Sequence, residues 1–464
     1  MEDFRESGEI NMSTIAAIAT GQAAGGIGVV RISGEQAIDF ADKIFTSISN
    51  KKLADLSGYH ATLGTVYLDE KPVDQVVATV FRAPKSYTGE HVVEFSCHGG
   101  LYVTKQVLRA VFSAGAVPAE SGEFTKRAFL NGKMDLTEAE AVMSLISAQG
   151  EQAKTAALQV LDGKLFEKIT KISNDLKGLS ASLAAWVDYP DEEIEDVTDA
   201  AMEAVLTKNC ALLEALLSQF DNGKPVLNGV DTAIVGKPNV GKSTLMNLLT
   251  GHEKSIVTEI AGTTRDIVEE TAVLDGIVLR LSDTAGIHDT EDTVEKIGVS
   301  RARKKIERAT LVLAVFDASV PLSAEDKDLM ALCKDKHAIA IVNKNDLENK
   351  LDAETLKTAF ERIIFISAKE QIGISALSKA VGEVLGTVKF DASSETLLNE
   401  RQFQCCKTAL FALTEAKNAL SYGMTRDAIS VCLDDAIEAL DDLTGKRATE
   451  TVVDEIFSRF CVGK

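Results

Sequence analysis

The sequence predicts a multidomain protein in which α/β domains are combined with a discontinuous helical domain. Three observations lead to this fold class. Short β-type runs alternate with helical stretches early in the chain, apolar residues recur at helical spacing in two later segments, and strand, turn and helix repeats lie between those segments. The 464 residues are enough for two to four domains, each with its own core.

The first segment mixes strands with helices. Its β-type runs cover residues 27–32, 76–81 and 92–97, and its helical stretches lie near 34–46 and 101–113. This mixture predicts an α/β or α+β domain, which we place at residues 1–133.

Two segments with helical spacing flank the middle of the chain. From Leu158, apolar residues at spacings of three and four predict one long amphipathic helix, which Gly163 interrupts at a cost of about 1 kcal/mol. A second pattern starts after residue 396 and places Leu433, Ile437 and Leu440 on one face. We expect the halves at 134–222 and 389–464 to pack into one helical domain.

Between these halves the chain alternates strand, turn and helix. The β-type runs are residues 232–235, 277–281, 311–316, 339–342 and 363–366. Alternation of this kind predicts a doubly wound, mostly parallel sheet, inserted into the helical domain at residues 223–388.

Composition narrows the classes of protein. No apolar stretch approaches the ~20 residues of a membrane helix, and the first dozen residues are acidic, which predicts a cytoplasmic protein. A net charge of −21 argues against a broad basic footprint for nucleic acid, so any RNA contact is local or borrowed from a partner. The seven scattered cysteines lack the spacing of a zinc site and are expected to be reduced thiols.

The run from Gly236 to Ser243 has the spacing of a phosphate loop and stands between a β-type run and an apolar helix. Its glycines allow backbone N–H groups to surround a β-phosphate. Lys242 neutralises charge there, and the Ser243 hydroxyl is a candidate Mg²⁺ ligand. A glycine-rich turn with an incidental lysine is the alternative, but it leaves the later motifs unexplained.

Three further motifs follow at strand ends. Residues 283–286, Asp-Thr-Ala-Gly, suit the Mg²⁺ shell and the sensing of a γ-phosphate. Residues 343–346, Asn-Lys-Asn-Asp, place Asp346 to accept two hydrogen bonds from guanine, which adenine cannot supply. Residues 367–369, Ser-Ala-Lys, offer a backbone N–H to the guanine O6. Four motifs in this order predict a GTP site.

Residues 262–266, Gly-Thr-Thr-Arg-Asp, resemble the first switch of translation-factor-related GTPases, with Thr264 as the Mg²⁺ and γ-phosphate contact. A polar loop is the alternative interpretation. After Asp-Thr-Ala-Gly the chain has Ile287, where Ras-like enzymes have a glutamine that orients water. Another group must therefore do that work.

The resemblance then narrows to one family. The Gly-x-Pro-Asn loop, the Gly-Thr-Thr-Arg-Asp switch, the flanking helical halves and the final Cys461-Val462-Gly463-Lys464 resemble the tRNA-modification GTPase family MnmE (TrmE) from about Met12 onward. The resemblance implies that hydrolysis follows dimerisation of the GTPase domains around K⁺. The implied K⁺ ligands are Asn239, Thr258, Ile260 and Thr263.

The resemblance also implies a catalytic set and a nucleotide shell. Glu295 would act on the attacking water beside Lys242, although a solvated helix-face charge is the alternative for Glu295. The expected GTP contacts are Asn239, Val240, Gly241, Lys242, Ser243, Thr244, Thr258, Glu259, Ile260, Ala261, Gly262, Thr263, Thr264, Asp283, Thr284, Ala285, Gly286, Asn343, Lys344, Asp346, Ser367, Ala368 and Lys369.

In this family the N-terminal part dimerises and binds a one-carbon tetrahydrofolate, as the 5,10-methylene or 5-formyl form. The resemblance assigns folate contacts to Arg31, Glu94, Lys133 and Lys464, which would otherwise be ordinary charged residues. Cys461 becomes a candidate catalytic thiol, whereas a cysteine in a tail is usually inert.

The implied reaction adds an aminomethyl or carboxymethylaminomethyl group at C5 of the wobble uridine of certain tRNAs. The implied partner is an FAD-dependent protein of the MnmG (GidA) type, in a heterotetramer or larger complex with the homodimer. Three departures from the family pattern are Val462 in the tail, Glu120-Ser121, to which we assign no role, and residues 1–11, which lie outside the pattern.

Two other functions remain open at this stage. One is a ribosome-assembly GTPase like Era and Der, which share the nucleotide motifs but would require a basic RNA-binding C-terminus. The other is a stand-alone folate-dependent transferase with a vestigial GTPase domain. A potassium-dependent GTPase activity would exclude the second.

Overall fold

The computed structural model describes residues 13–21, 23–188, 198–252, 270–282 and 303–464. The structure divides into two compact units. The first comprises Met1–Met143, Phe166–Thr207 and Thr408–Lys464, and the second comprises Ser144–Leu165 and Lys208–Lys407. The domain bounds 1–133, 134–222, 223–388 and 389–464 stay a prediction.

The first unit contains a seven-stranded sheet in the order β3-β4-β5-β6-β2-β1-β7. All neighbouring strands are antiparallel except β1 and β7. Helices α1 (Ala37–Ile44) and α2 (Leu101–Ser113) pack on the sheet through a shared apolar core. The strands are β1 Ile15–Ile18, β2 Ile27–Ser33, β3 Phe45–Ser47, β4 His60–Leu68, β5 Lys71–Phe81, β6 Val92–His98 and β7 Val117–Pro118.

Five helices follow this sheet: α3 Glu123–Leu130, α4 Leu136–Ser147, α5 Glu151–Leu161, α6 Lys164–Asp188 and α7 Asp199–Asn228. The single helix expected from Leu158 is wrong. Gly163 has φ +84°, a left-handed conformation that lies between the end of α5 and the start of α6 and interrupts the helix.

The second unit contains a six-stranded sheet in the order β13-β12-β11-β8-β10-β9. Every neighbouring pair is parallel except β9 and β10. The strands are β8 Val230–Val235, β9 Glu270–Leu274, β10 Ile277–Ser282, β11 Leu311–Asp317, β12 Ala338–Asn343 and β13 Arg362–Phe365. The helices that follow these strands include α8 Lys242–His252, α9 Ala324–Cys333, α10 Ala353–Leu356 and α11 Ile374–Val384.

Both faces of this sheet are covered. Along β11, Leu313 and Val315 belong to one apolar core, and Val312, Ala314 and Phe316 belong to the core on the opposite face. A strand buried on both sides is apolar throughout, which is why this run was recognisable in the sequence. The doubly wound, mostly parallel sheet is therefore confirmed.

The sequence prediction omitted strand β9. The strand pairs antiparallel with β10 through a two-residue turn at Asp275 and Gly276, whose φ values are +51° and +78°. An Asp-Gly pair between two apolar runs is a strong hairpin signal, so the strand could have been found.

Three helices complete the described chain: α12 Glu400–Ser421, α13 Arg426–Thr444 and α14 Glu450–Ser458. Within the first unit, Lys177 of α6 forms an ion pair with Asp441 of α13 at 2.9 Å. Ser180 of α6 donates a hydrogen bond to Asp434 of α13 at 3.1 Å. The helical segments before and after the nucleotide motifs are thus joined directly.

Candidate functional site

The phosphate loop lies between the end of β8 and the start of α8. Three of its residues have positive φ: Gly236 at +154°, Asn239 at +65° and Gly241 at +96°. A Cβ atom at Gly241 would overlap the side-chain nitrogen of Asn343, and one at Gly236 would overlap the Val315 carbonyl oxygen. Backbone shape and close approach both require glycine at these two positions.

Lys242 begins α8 and turns its ammonium back onto the loop. The Nζ atom donates to the carbonyl oxygens of Gly236 at 2.9 Å and Lys237 at 2.6 Å. Burial lowers the pKa of Lys242. The loop therefore keeps the Lys242 ammonium beside the first turn of α8. Ser243 and Thr244 are exposed in this turn, and the backbone N–H groups there favour binding of an anion.

Asn343 connects the phosphate loop to the last of the predicted motifs. Its Nδ2 donates to the Val240 carbonyl oxygen at 2.9 Å, and its Oδ1 accepts from the Ala368 backbone N–H at 3.0 Å. Asn343 is buried, so both bonds are shielded from water. The structure thus brings three of the predicted motifs together at one edge of the sheet.

Asp346 is exposed at the same edge. The Ser367 hydroxyl donates to its Oδ1 at 2.6 Å, and this bond is the main cause that lowers the pKa of Asp346. The Asn345 N–H donates to the Ile366 carbonyl oxygen at 3.0 Å. This bond joins the loop after β12, which carries Asp346, to the segment after β13, which carries Ser367. An ionised, accessible carboxylate is what recognition of guanine N1–H and N2–H requires.

Lys344 lies between Asn343 and Asp346 in the sequence and has φ +64°. Its ammonium contacts Asp317 Oδ2, at the end of β11, at a distance of 2.6 Å. Asp317 was not among the sequence-predicted residues. Asp317 is the last residue of the buried strand β11, which pairs with β12, the strand that ends at Asn343. This position at a strand end could have identified Asp317 from the sequence.

A second unpredicted contact supports the phosphate loop. Lys237 forms an ion pair with Asp326 at 2.6 Å and donates to the Ser323 hydroxyl at 3.0 Å. Asp326 is only 3% exposed and belongs to the capping box that starts α9. Because the carbonyl of Lys237 accepts from Lys242, this ion pair also stabilises the resting position of Lys242.

The remaining predicted nucleotide contacts fall outside the described residues. They are Thr258, Glu259, Ile260, Ala261, Gly262, Thr263, Thr264, Asp283, Thr284, Ala285, Gly286 and Glu295. Lys369 is described, and its side chain is 81% exposed beside Glu370.

A second cluster lies on the first unit's sheet. Arg31 of β2 pairs in register with Glu94 of β6, and its Nε donates to Glu94 Oε1 at 2.8 Å. The guanidinium carbon lies 5.4 Å from the centre of the Tyr87 ring and 5.5 Å from that of Phe124. An arginine held between a carboxylate and two aromatic rings is well placed to bind a planar, polar ligand.

The predicted residue Lys133 contacts the loop that carries Tyr87. Its ammonium donates to the Pro84 carbonyl oxygen at 3.1 Å, and the side chain is exposed. Burial is the main cause that raises the pKa of Tyr87, whose hydroxyl lies 2.9 Å from the Thr125 hydroxyl.

The end of the chain docks on this cluster. The Lys464 carbonyl oxygen accepts from the Phe124 N–H at 3.2 Å, and the Cys461 carbonyl oxygen accepts from the Gly122 N–H at 3.4 Å. Ser121, to which no role was assigned, forms a β-bridge with Val462. Phe124 therefore contacts both the tail and Arg31, and the Cys461 side chain remains exposed.

Other ligand sites are scarce in the described part of the chain. No group of three or more histidine, cysteine or acidic residues could hold a metal ion there. All seven cysteines are free thiols. Across the same ranges, none of the helices combines the length and apolar character needed to cross a membrane.

A doubly wound sheet with a phosphate loop and guanine-type motifs at its strand ends defines a P-loop protein of the GTPase class. Two family models match this chain: the MnmE helical domain over residues 136–461 and the GTP-binding protein TrmE N-terminus over residues 14–133. The chain belongs to the MnmE family of tRNA modification GTPases.

Individual relatives agree with this assignment. The tRNA modification GTPase MnmE of Alkaliphilus oremlandii is 40% identical over 97% of this chain and 99% of the relative. That of Lactococcus lactis subsp. cremoris (strain SK11) is 41% identical over 97% and 98%. Among solved structures, the FeoB G-domain from Methanococcus jannaschii is 25% identical, covering 34% of this chain and 98% of that chain, with a TM-score of 0.25.

Family membership establishes the general activity of the chain. The chain is a GTP hydrolase that acts in tRNA modification, and its class implies GTP and Mg²⁺. The prediction of this family from the sequence is confirmed, and the Era and Der alternative is not supported.

Proposed function

We propose that this chain is a K⁺-activated GTPase that drives modification of the wobble uridine at C5. With an FAD-dependent partner, it adds an aminomethyl or carboxymethylaminomethyl group, using a carbon from tetrahydrofolate. The observation that supports the proposal is that one chain contains two clusters of suitable residues. One is the phosphate loop with Lys242, and the other is the Arg31–Glu94 cluster with the Cys461 tail against it.

The nucleotide chemistry starts from the phosphate loop. Lys242 leaves its backbone acceptors to neutralise the β- and γ-phosphates, and Ser243 ligates Mg²⁺ together with Thr264. Asp346 reads the guanine edge, and Ala368 is held beside it by Asn343. Glu295 orients the attacking water in place of a glutamine.

Asn239 is the described residue of the proposed K⁺ site, with Thr258, Ile260 and Thr263 as further oxygen donors. Asn239 is exposed in the phosphate loop with a left-handed backbone, and its side chain carries an amide oxygen. An amide oxygen is a suitable ligand for an alkali ion. Bound K⁺ supplies positive charge at the phosphates, as an arginine finger does.

Replacing K⁺ with Na⁺ should slow steady-state GTP hydrolysis by roughly tenfold or more, because a cation in the arginine-finger position contributes ~10³–10⁵ in rate. The test is the rate of phosphate release across alkali chlorides at constant ionic strength. Equal rates in K⁺ and Na⁺ would remove the ion from the mechanism.

The variant Asn239→Gly provides a matched comparison. Glycine accepts the +65° backbone without strain, so only the amide ligand is lost. We expect hydrolysis by this variant, measured at saturating nucleotide, to respond equally to both salts. A variant that keeps the full K⁺ response would show that Asn239 is not a ligand.

The proposed folate site uses the second cluster. Glu94 suits the hydrogen-bond donors on the edge of a pterin, and Arg31, Lys133 and Lys464 suit the carboxylates of the glutamate tail or neighbouring charge. Phe124 and Tyr87 add aromatic faces beside Arg31. The working folate is the 5,10-methylene or 5-formyl form.

Cys461 is proposed as a catalytic thiol of the folate-dependent step. The variant Cys461→Ser should leave GTP hydrolysis unchanged and lower tRNA modification by about 100-fold or more, the range for loss of a group that moves protons. The measurement is wobble-uridine nucleoside content by mass spectrometry. Full modification by Cys461→Ser would reduce the thiol to a tail residue.

Gly463→Ala tests the docking of the tail independently of the thiol. Gly463 has φ +97°, and a Cβ atom there would overlap the Ile18 carbonyl oxygen, so the variant should displace the tail and lose modification. Gly178→Ala is the control, since nothing lies within 4 Å of its added Cβ. Normal modification by Gly463→Ala would show that docking of the tail is dispensable.

The assembly completes the proposal. The chain forms a homodimer through its N-terminal part, joins an MnmG (GidA) type partner in a heterotetramer or larger complex, and works in the cytoplasm. Its net charge of −21 supports an arrangement in which the partner, and not this chain, makes most of the contacts to the tRNA phosphate backbone.

A further inference from the structure

One arginine near the Arg31–Glu94 cluster is almost completely buried. Arg127 of α3 has a side chain that is 2% exposed, and its guanidinium contacts three separate segments of the chain. It donates to both carboxylate oxygens of Glu90 at 3.1 and 3.2 Å, to Glu123 Oε1 at 2.7 Å and to the Ser13 carbonyl oxygen at 2.9 Å. Charge-assisted bonds of this number fix the guanidinium, and they fix its acceptors as well.

Glu90 links Arg127 to the loop that carries Tyr87. The Oε2 atom of Glu90 also accepts from the Ser33 hydroxyl at 2.6 Å, and the Ser33 hydroxyl lies 2.7 Å from that of Thr88. Ser33 and Thr88 are fully buried, so these bonds are shielded from water. This loop is therefore fastened to the end of β2, and the Tyr87 ring is held with it.

Glu123 links Arg127 to the segment that receives the end of the chain. It is the first residue of α3, and its Oε2 accepts from the Glu120 backbone N–H at 2.8 Å. Its two sequence neighbours, Gly122 and Phe124, are the residues whose N–H groups donate to the tail. One carboxylate therefore connects the docking segment of the tail to Arg127.

Both linked segments also contact Arg31. The Arg31 guanidinium lies near the Tyr87 and Phe124 rings, which belong to the two segments that Arg127 joins. The Tyr87 hydroxyl lies 2.9 Å from the Thr125 hydroxyl of α3, so the two segments contact each other directly. The direction of the Arg31 side chain thus depends on two rings whose positions depend on Arg127.

We propose that Arg127 is a positioning residue for the folate-dependent step. By joining Glu90 to Glu123, its guanidinium holds both aromatic rings beside Arg31 and keeps the docking segment of the tail in place. The inference rests on the proposed folate site, and it requires no contact between Arg127 and the ligand. Lysine cannot replace this arginine, because an ammonium does not reproduce the planar fork that binds two carboxylates and a carbonyl at once.

Two variants test this role, Arg127→Lys and Glu123→Ala. Arg127→Lys keeps the charge and loses the fork, whereas Glu123→Ala keeps the buried pair with Glu90 and removes only the link to the start of α3. Each should weaken binding of 5-formyl-tetrahydrofolate by about tenfold, because Arg31 loses its fixed direction. The measurement is isothermal titration of the folded protein, with its melting temperature recorded. The kcat of GTP hydrolysis should stay at the wild-type value.

Hydrogen–deuterium exchange followed by mass spectrometry provides a second readout that needs no folate. The Gly122 and Phe124 N–H groups donate to the tail, so their exchange reports whether the tail is docked. In both variants exchange should rise in peptides covering residues 119–126 and should stay as in wild type along β4 and β5. A role confined to support of the fold would raise exchange along the whole sheet and leave the folate affinity of the folded protein unchanged. Either result would overturn the inference.

Glu455→Ala is the matched control. Glu455 forms an ion pair with Arg459 at 2.7 Å, four residues apart like the pair of Glu123 with Arg127, but its side chains are 66% and 75% exposed. This variant should equal wild type in folate affinity and in exchange. Should Arg127→Lys not fold, Glu123→Ala decides the matter, and wild-type values in both measurements would contradict the positioning role.

Failure of this inference is distinguishable from failure of the proposed folate site. If the wild-type protein does not bind 5-formyl-tetrahydrofolate, the folate site is wrong and the inference falls with it. If wild type binds this folate and both variants bind it equally well, only the positioning role of Arg127 is wrong.

Discussion

Asp346→Asn is expected to change the nucleotide preference of this enzyme from guanine to xanthine. The exposed Asp346 carboxylate accepts from two donors on guanine, whereas an asparagine amide places its own donor against one of them. Loss of two charge-assisted bonds should lower GTP affinity by about 100-fold. Xanthine has a carbonyl oxygen at C2 that the asparagine N–H can satisfy.

The measurement is competition of GTP and XTP against a fluorescent nucleotide, with hydrolysis of each followed at saturation. Glu348→Gln is the control, since Glu348 lies two residues away, is 86% exposed and is 3.9 Å from Lys350. Unchanged GTP affinity in Asp346→Asn would contradict the base-reading role. Loss of both GTP and XTP binding would indicate that Asp346 supports the loop instead.

Gly241→Ala is expected to weaken nucleotide binding strongly. A residue with φ +96° is strained for alanine, and its Cβ atom would overlap the Asn343 amide that donates to Val240. Strain of ~1–3 kcal/mol and the loss of that bond correspond to an affinity about 100-fold lower. GTP and GDP should weaken alike, because the fault lies in the loop around the β-phosphate.

Gly251→Ala separates this effect from a general response to the added methyl group. Gly251 lies in α8, nothing is within 4 Å of its added Cβ, and alanine is the better helix former. Its nucleotide affinity should equal wild type and its melting temperature should not fall. Normal binding by Gly241→Ala would show that the loop adopts a different shape when nucleotide is bound.

Motif order explains why so much of the nucleotide site was predictable. In a doubly wound sheet the carboxyl ends of parallel strands meet at one edge, so residues at successive strand ends become neighbours. On that basis the sequence alone was enough to group Lys242, Asn343, Asp346 and Ala368. Their burial, their hydrogen-bond partners and their side-chain positions could not be predicted, because these depend on distances between loops.

The tail shows the opposite situation. Nothing in residues 461–464 indicates which surface they contact, and their assignment came from family resemblance alone. Tertiary structure brings Lys464 to the Phe124 N–H and Val462 to Ser121, far earlier in the chain. Contacts across such a separation depend on how the helices fold back, which local patterns do not encode.

The sequence by itself determined the fold class, the family and the place of the three nucleotide motifs that lie in the described residues, because hydrophobic period and glycine spacing act locally along the chain. Only the tertiary structure decided that Gly163 divides the helix and that Asp317 holds Lys344. It likewise decided that Asp326 holds Lys237. These three features depend on the direction of the backbone or on charged side chains that meet across separate elements. Neither property can be read from the order of residues along the chain.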